Sequence, residues 1–194
     1  NEKEFQRKEV GSSALTGERE FSVLERLWAR PTLEIHGMPG GFTGDGAKTV
    51  IPAKALAKVS MRLVPEMEPK KIFALYKAYV ESLCPEGISL DVRLIHSGDA
   101  IVIGVDNPYI KVATAAMHKV FGKETVFVRS GGSIPIVGDF ERSLKIPTVM
   151  MGFGLPDDGL HAPNEKFHIS NFYRGIESLI YFFEGLGTGK PGDA

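Results

Sequence analysis

With 194 residues, 43% hydrophobic and 24% charged, the chain can bury one ordinary core or two small ones, and its composition is not that of a disordered segment. A formal charge of −1 supplies no pull toward nucleic acid or an anionic membrane, and neither partner is expected. No apolar run reaches the roughly 18–20 residues of a membrane-crossing helix, Asn1-Glu2-Lys3-Glu4-Phe5 is not a signal peptide, and the lone Cys84 excludes an internal disulfide. A soluble protein of a reducing cytoplasm fits, with Cys84 expected as a buried structural thiol. The chain begins with Asn rather than Met, a first hint of a fragment.

Residues 1–30 are charged and irregular, with a short helix expected around Phe21 to Trp28, and read as a connecting arm. Thr32-Leu33-Glu34-Ile35 is strand-like, and the glycine-rich stretch Gly37 to Gly46 is a loop. From Ala55 the chain alternates, with Ala55, Ala57, Val59, Met61 and Leu63 on one face and Lys54, Lys58, Ser60 and Arg62 on the other: a half-buried strand with a basic open face. Pro69 opens a helix with Ile72, Phe73, Tyr76, Tyr79, Val80 and Leu83 at helical spacing, and Pro85 stops it. Ser89 to Ile95 reads as another strand, ended by His96-Ser97-Gly98-Asp99. Strand, strand, helix, strand is a small α+β unit.

A different rhythm follows. Asn107-Pro108 caps and opens a helix that Gly122 ends, Thr125 to Val128 is β-rich, and Ile136 to Leu144 is helical. Pro147 to Phe153 reads as an apolar strand, and Asn171 to Leu186 as a final helix with Ile176, Leu179, Ile180 and Phe183 inward. Helix alternating with buried strand is the pattern of an α/β layer, so a boundary is expected near residue 100.

Two motifs point to chemistry. Phe127-Val128-Arg129-Ser130-Gly131-Gly132-Ser133-Ile134-Pro135 delivers two glycines and a serine to a helix start, where free N–H groups can seat an anion; a tight turn without a ligand is the competing reading. His161, in a Gly-, Pro- and Asp-rich loop just after an apolar strand, is a side chain of the type that ligates zinc, set against the alternative of an exposed loop histidine. Arg62 suits a bidentate grip on a carboxylate, although a solvated arginine is the ordinary expectation on a polar strand face. Thr49 and His96 are unremarkable on spacing alone. Asp157, Asp158 and Glu165 read as a solvated acidic loop, and His168 as a surface or helix-capping residue. Walker, nucleophile-elbow and dinucleotide fingerprints do not occur.

Taken in order, Arg30-Pro31-Thr32, Gly46-Ala47-Lys48-Thr49-Val50-Ile51-Pro52, Arg62-Leu63-Val64-Pro65, Gly131-Gly132-Ser133-Ile134-Pro135 and His161-Ala162-Pro163-Asn164-Glu165 resemble the zinc-dependent dipeptidases of the carnosinase and cytosolic non-specific dipeptidase type. Acetylornithine deacetylase and succinyl-diaminopimelate desuccinylase are more distant relatives. The resemblance runs from about Leu15 to Leu186 and covers the C-terminal part of such an enzyme only. It implies that residues 1–98 are the later part of an α+β lid and dimerisation domain with its N-terminal arm. Residues 99–194 are then the C-terminal portion of an α/β zinc-peptidase catalytic domain.

The resemblance further implies two zinc ions per complete subunit, with manganese as an alternative, sharing a water that attacks the peptide carbonyl of a dipeptide. His161 matches the last zinc ligand. Arg62, Gly132 and Ser133 match residues at the substrate's C-terminal carboxylate, His96 a substrate contact between lid and catalytic domain, and Thr49 a lid residue offered in trans to the neighbouring subunit of a homodimer. The family's His-any-Asp motif, bridging aspartate and general base are expected upstream, so no catalytic residue is assigned here and the segment alone is expected to be inactive. Ser130 stands where many members carry a glutamate before Gly-Gly-Ser. That departure keeps an N-acyl amino acid deacylase open, and a non-catalytic dimerisation module is the third reading.

Overall fold

The computed structural model describes residues 2–130 and 134–188. Six α-helices, a two-stranded sheet and two short helical turns, over Gln6–Val10 and Pro156–Asp158, make up the regular structure of these residues: α1 (Glu2–Phe5), α2 (Val23–Ala29), β1 (Glu34–Gly37), β2 (Lys58–Ser60), α3 (Pro69–Ser82), α4 (Pro108–Phe121), α5 (Pro135–Leu144) and α6 (Ile169–Thr188). The chain divides into two compact units. One holds residues up to Val23, Val102–Arg129 and the chain from Asp139 onward; the other holds Leu24–Ile101 with Ser130 and residues 134–138.

In the second unit β1 and β2 pair antiparallel, Glu34 opposite Ser60 and Ile35 opposite Val59, with an irregularity before Gly37 opposite Lys58. The pairing continues past the strand ends, where Thr32 N–H donates to the Arg62 carbonyl at 3.0 Å and Arg62 N–H to Thr32 Oγ1 at 3.2 Å. The alternation read from the sequence holds over the paired stretch: Val59, Met61 and Leu63 are half-buried, while Lys58, Ser60 and Arg62 face water. It fails at Ala55 and Ala57, which are exposed, because only the isolated bridge between Gly40 and Ala55 reaches that far.

Helix α3 starts at Pro69 as expected, but Tyr79 and Leu83 are exposed at 64% and 61%, so its apolar stripe is covered only in part. Cys84 is half-buried rather than buried, its Sγ 3.4 Å from the Ile88 carbonyl.

In the first unit, α4 and α6 pack together. Asn107 Oδ1 accepts the Tyr109 N–H at 2.9 Å, and Gly122 ends α4 at φ 64° with its N–H donating to the His118 carbonyl at 2.8 Å, so both predicted caps form. Ala113 and Ala116 on α4 and Ser178 on α6 are buried, and buried Gly175 faces Phe153, whose ring would lie 3.3 Å from a Cβ there. A Cβ at Gly185 would lie 2.7 Å from Val112 Cγ1, which is why glycine stands there. This seam corrects the expected inward face of α6. Ile176, Leu179, Ile180 and Phe183 are 41–65% exposed, and the buried stripe is Asn171, Gly175 and Ser178, where the Phe153 ring lies against Gly175 and its carbonyl accepts from Asn171.

Two further expectations change. Residues 2–10 are helical rather than irregular, α1 running into a π-helical turn over Gln6–Val10, and Glu2 Oε1 accepts the N–H of buried Val23 at 2.8 Å. The runs expected as strands at 89–95, 125–128 and 147–153 are not in a ladder among the described residues. Their composition is strand-like, yet a strand exists only with a hydrogen-bonded neighbour, and none is supplied to them here. Val126, Phe127, Val128 and Met150 are accordingly more than half exposed.

Candidate functional site

The loop between Phe153 and α6 carries the most structured set of polar side chains. Pro156 to Asp158 form a single 3₁₀ turn, as the fixed φ of proline favours at such a start, and Gly159 closes it in the left-handed region at φ 66°. Asp158 Oδ2 accepts the Leu155 N–H at 2.7 Å and its own N–H donates to the Leu155 carbonyl at 3.1 Å. Its carbonyl then accepts the Lys166 N–H at 2.9 Å, joining the two ends of the loop.

Inside that closure the chain turns sharply. Ala162 N–H donates to the Gly159 carbonyl at 2.9 Å and Glu165 N–H to the Ala162 carbonyl at 3.3 Å. His161 and Asn164 both adopt left-handed backbone, at φ 62° and 63°, a conformation histidine and asparagine enter more readily than most residues. The His161 N–H donates to Glu165 Oε2 at 3.2 Å, and the side chain is exposed. The loop thus presents one imidazole outward.

Asp158 is not the solvated acid its sequence context implied: it is 1% exposed, and Asp157, Asp158 and His168 bring ligand-type atoms within 4.8 Å of one another. His168 Nε2 lies 3.4 Å from Asp157 Oδ2 and 3.7 Å from Asp158 Oδ1. Lys166 Nζ sits among them, 2.5 Å from Asp157 Oδ2 and 3.2 Å from His168 Nε2. That ammonium, with secondary help from His168, holds the exposed Asp157 carboxylate below the usual carboxylate range. A cation is already built into the cluster by the chain itself, so the geometry is that of an ion-pair network rather than a vacant metal seat. The network stands at the start of α6, where the His168 carbonyl accepts the Asn171 and Phe172 N–H groups at 2.9 and 3.0 Å, and buried Asn171 donates from Nδ2 to the Phe153 carbonyl at 3.0 Å. Helix capping by His168 is therefore correct for its main chain, while the role of its ring was missed; the Asp-Asp pair eight and nine residues before Lys166 gave no signal of burial.

The remaining site residues belong to the other unit. Arg62 extends from the polar face just past β2, exposed, its main chain tied to Thr32. Thr49 is exposed at the centre of a tight turn in which the Val50 N–H donates to the Lys48 carbonyl at 3.0 Å. His96 is exposed in an irregular stretch. Gly132 and Ser133 lie outside the described residues, but the helix they lead into, α5, begins at Pro135 as expected. One relation went unread in the sequence: a Cβ on Gly98 would meet Pro135 Cβ at 2.6 Å. The stretch after His96 therefore lies directly against the first turn of α5.

For a metal at His161, this chain offers one exposed imidazole of the right chemistry, on a loop held at its neck. The one cluster of three ligating groups among the described residues does not include it.

The chain is 39% identical over 172 residues to the Cys-Gly metallodipeptidase dug1 of Schizosaccharomyces pombe, covering 87% of this chain and 36% of that one. The solved dipeptidase Dug1p of Saccharomyces cerevisiae superposes with a TM-score of 0.85 at 34% identity, over 96% of this chain and 40% of that one. Human carnosine dipeptidase 1 superposes with a TM-score of 0.84 at 28% identity, over 97% and 40%. The chain thus has the mixed α/β fold of these enzymes and spans well under half of their length. The family model for peptidase family M20/M25/M40 matches residues 5–185. The chain belongs to that metallopeptidase family.

Proposed function

We propose that this chain is the C-terminal segment of a cytoplasmic, zinc-dependent dipeptidase, homodimeric when complete. The observation that carries the reading is the His161 loop: a single imidazole presented outward in left-handed backbone, on a closed loop, in a chain with 39% identity to a metallodipeptidase. His161 supplies one ligand to a pair of metal ions whose chemistry, when bound, is activation of water. Arg62, Gly132 and Ser133 hold the substrate's C-terminal carboxylate, His96 contacts the substrate, and Thr49 reaches the neighbouring subunit. Fixing the carboxylate orients the scissile bond, so these residues act through positioning.

Residues 1–98 form the later part of the lid and 99–194 the end of the catalytic domain. The division of the chain at Ile101/Val102 supports this, while the first 23 residues group with the second half and Ser130 and residues 134–138 with the first. Apolar runs at 125–128 and 147–153 without ladder partners support a catalytic sheet to which this segment contributes only part.

The test compares this segment with the intact enzyme. The purified segment supplied with zinc is expected to hydrolyse no dipeptide, since one histidine cannot hold two metal ions. In the intact enzyme Arg62→Ala raises KM and lowers kcat for dipeptides. Hydrolysis by the segment, or an unchanged kcat/KM in Arg62→Ala, refutes the respective claim. Ser130, in place of an acid that would meet a free amino group, favours N-acyl amino acids as a second substrate class. A panel of dipeptides against acyl amino acids decides between them.

A further inference from the structure

We infer that Asp158 and His168 are positioning residues for His161, the buried carboxylate and the imidazole together fixing the neck of the loop from which the metal-ligating side chain projects. This rests on the reading of His161 as a metal ligand.

Asp158 is the only residue of the loop withdrawn from water, at 1% exposure. It uses three groups on the loop's two ends: Oδ2 and N–H bond to Leu155, and the carbonyl accepts the Lys166 N–H. His161 lies between those ends, three residues after Asp158 and five before Lys166. The backbone inside must hold two non-glycine residues, His161 and Asn164, in left-handed conformation. Such geometry persists only where the surroundings over-determine it. Glu165 Oε2 accepting the His161 N–H contributes, but Glu165 is itself exposed and sits inside the loop. The fixed reference is therefore Asp158.

The second oxygen explains His168. Asp158 Oδ1 is buried without a hydrogen-bond partner, and His168 Nε2 lies 3.7 Å from it. A buried carboxylate oxygen without a partner is costly, and the imidazole at the start of α6, 3.4 Å from Asp157 Oδ2 and 3.2 Å from Lys166 Nζ, is the polar ring set beside it beneath the loop. The chain from Asp158 to His161 thus links the rigid end of α6 to the tip that meets the metal. Groups supporting a metal ligand from behind typically govern affinity rather than the identity of the reaction.

The experiment measures zinc affinity of the intact enzyme by competition with a chromophoric chelator for Asp158→Ala, Asp158→Asn, His168→Gln and His161→Ala, beside KM and kcat. Asp158→Ala is expected to weaken zinc binding about tenfold or more, with KM within about twofold. Asp158→Asn, which keeps an acceptor for the Leu155 N–H, loses less than Asp158→Ala, and His168→Gln also loses affinity. A folded Asp158→Ala that binds zinc as the parent does overturns the inference while leaving His161 as a ligand. Unchanged affinity in His161→Ala overturns the underlying reading instead. Hydrogen exchange of the parent protein needs no variant: the Leu155 and Lys166 amides are expected to be protected, and exchange at the rate of an unstructured peptide overturns the inference.

Discussion

Gly98 offers a quantitative test of how the stretch after His96 is held. A Cβ placed there would lie 2.6 Å from Pro135 Cβ, 3.2 Å from its Cγ and 3.4 Å from its Cα. The obstructing atoms belong to a proline ring at the first residue of α5, so they cannot swing aside as the end of a lysine would. Ordinary carbon contact begins near 3.4–3.5 Å, so Gly98→Ala must push the 96–99 stretch about 0.8 Å from α5. Overpacking of this size costs about 1–3 kcal/mol. If His96 contacts the substrate as proposed, the displacement also loosens the site, and misplacement near 1 Å can lower turnover about 10²-fold. Gly104, with nothing within 4 Å of its Cβ position, is the matched control. Urea denaturation and dipeptide kinetics on both variants make the comparison. A Gly98→Ala protein as stable as Gly104→Ala, with kcat/KM of the parent, would refute the packing argument.

Two further predictions concern the other unit. In α6, Gly185→Ala and Gly187→Ala both gain helix propensity of up to about 1 kcal/mol, but only position 185 drives a methyl into Val112, whose χ1 is stiff in a helix. Gly185→Ala is therefore expected to be about 1–3 kcal/mol less stable than Gly187→Ala by urea unfolding, and equal midpoints would refute the seam. Lys166→Gln should raise the NMR titration midpoint of Asp157, because the ammonium is the main cause of that carboxylate's lowered pKa. A lowered folded-state pKa stabilises at pH values above the ordinary carboxylate range and loses that contribution as pH falls through the folded value. Lys166→Gln should therefore flatten the acid limb of the stability profile, and an unmoved midpoint excludes the pairing.

Local signals were legible because their physics is local. Asn107 before Pro108, and Gly122 after Phe121, name the ends of α4 without any tertiary partner, since a cap is satisfied within a few residues. Pro69 and Pro135 mark helix starts for the same reason. The five ordered motifs identified the family, and His161 stood out as a loop imidazole after an apolar run.

What the sequence could not decide was every property that depends on a neighbour. The run at 147–153 has strand composition, but a ladder needs a second backbone, and composition does not state whether one is present. The hydrophobic side of α6 pointed to Ile176 and Leu179, whereas the buried side holds Asn171, Gly175 and Ser178, because Phe153 packs on Gly175 and Val112 of α4 on Gly185, where no side chain stands in the way. Asp157 and Asp158 are adjacent and chemically identical, yet one is exposed and the other sealed beneath the loop. Only the closure between Leu155 and Lys166 distinguishes them, since burial follows from which chain segments meet in space rather than from the residue type.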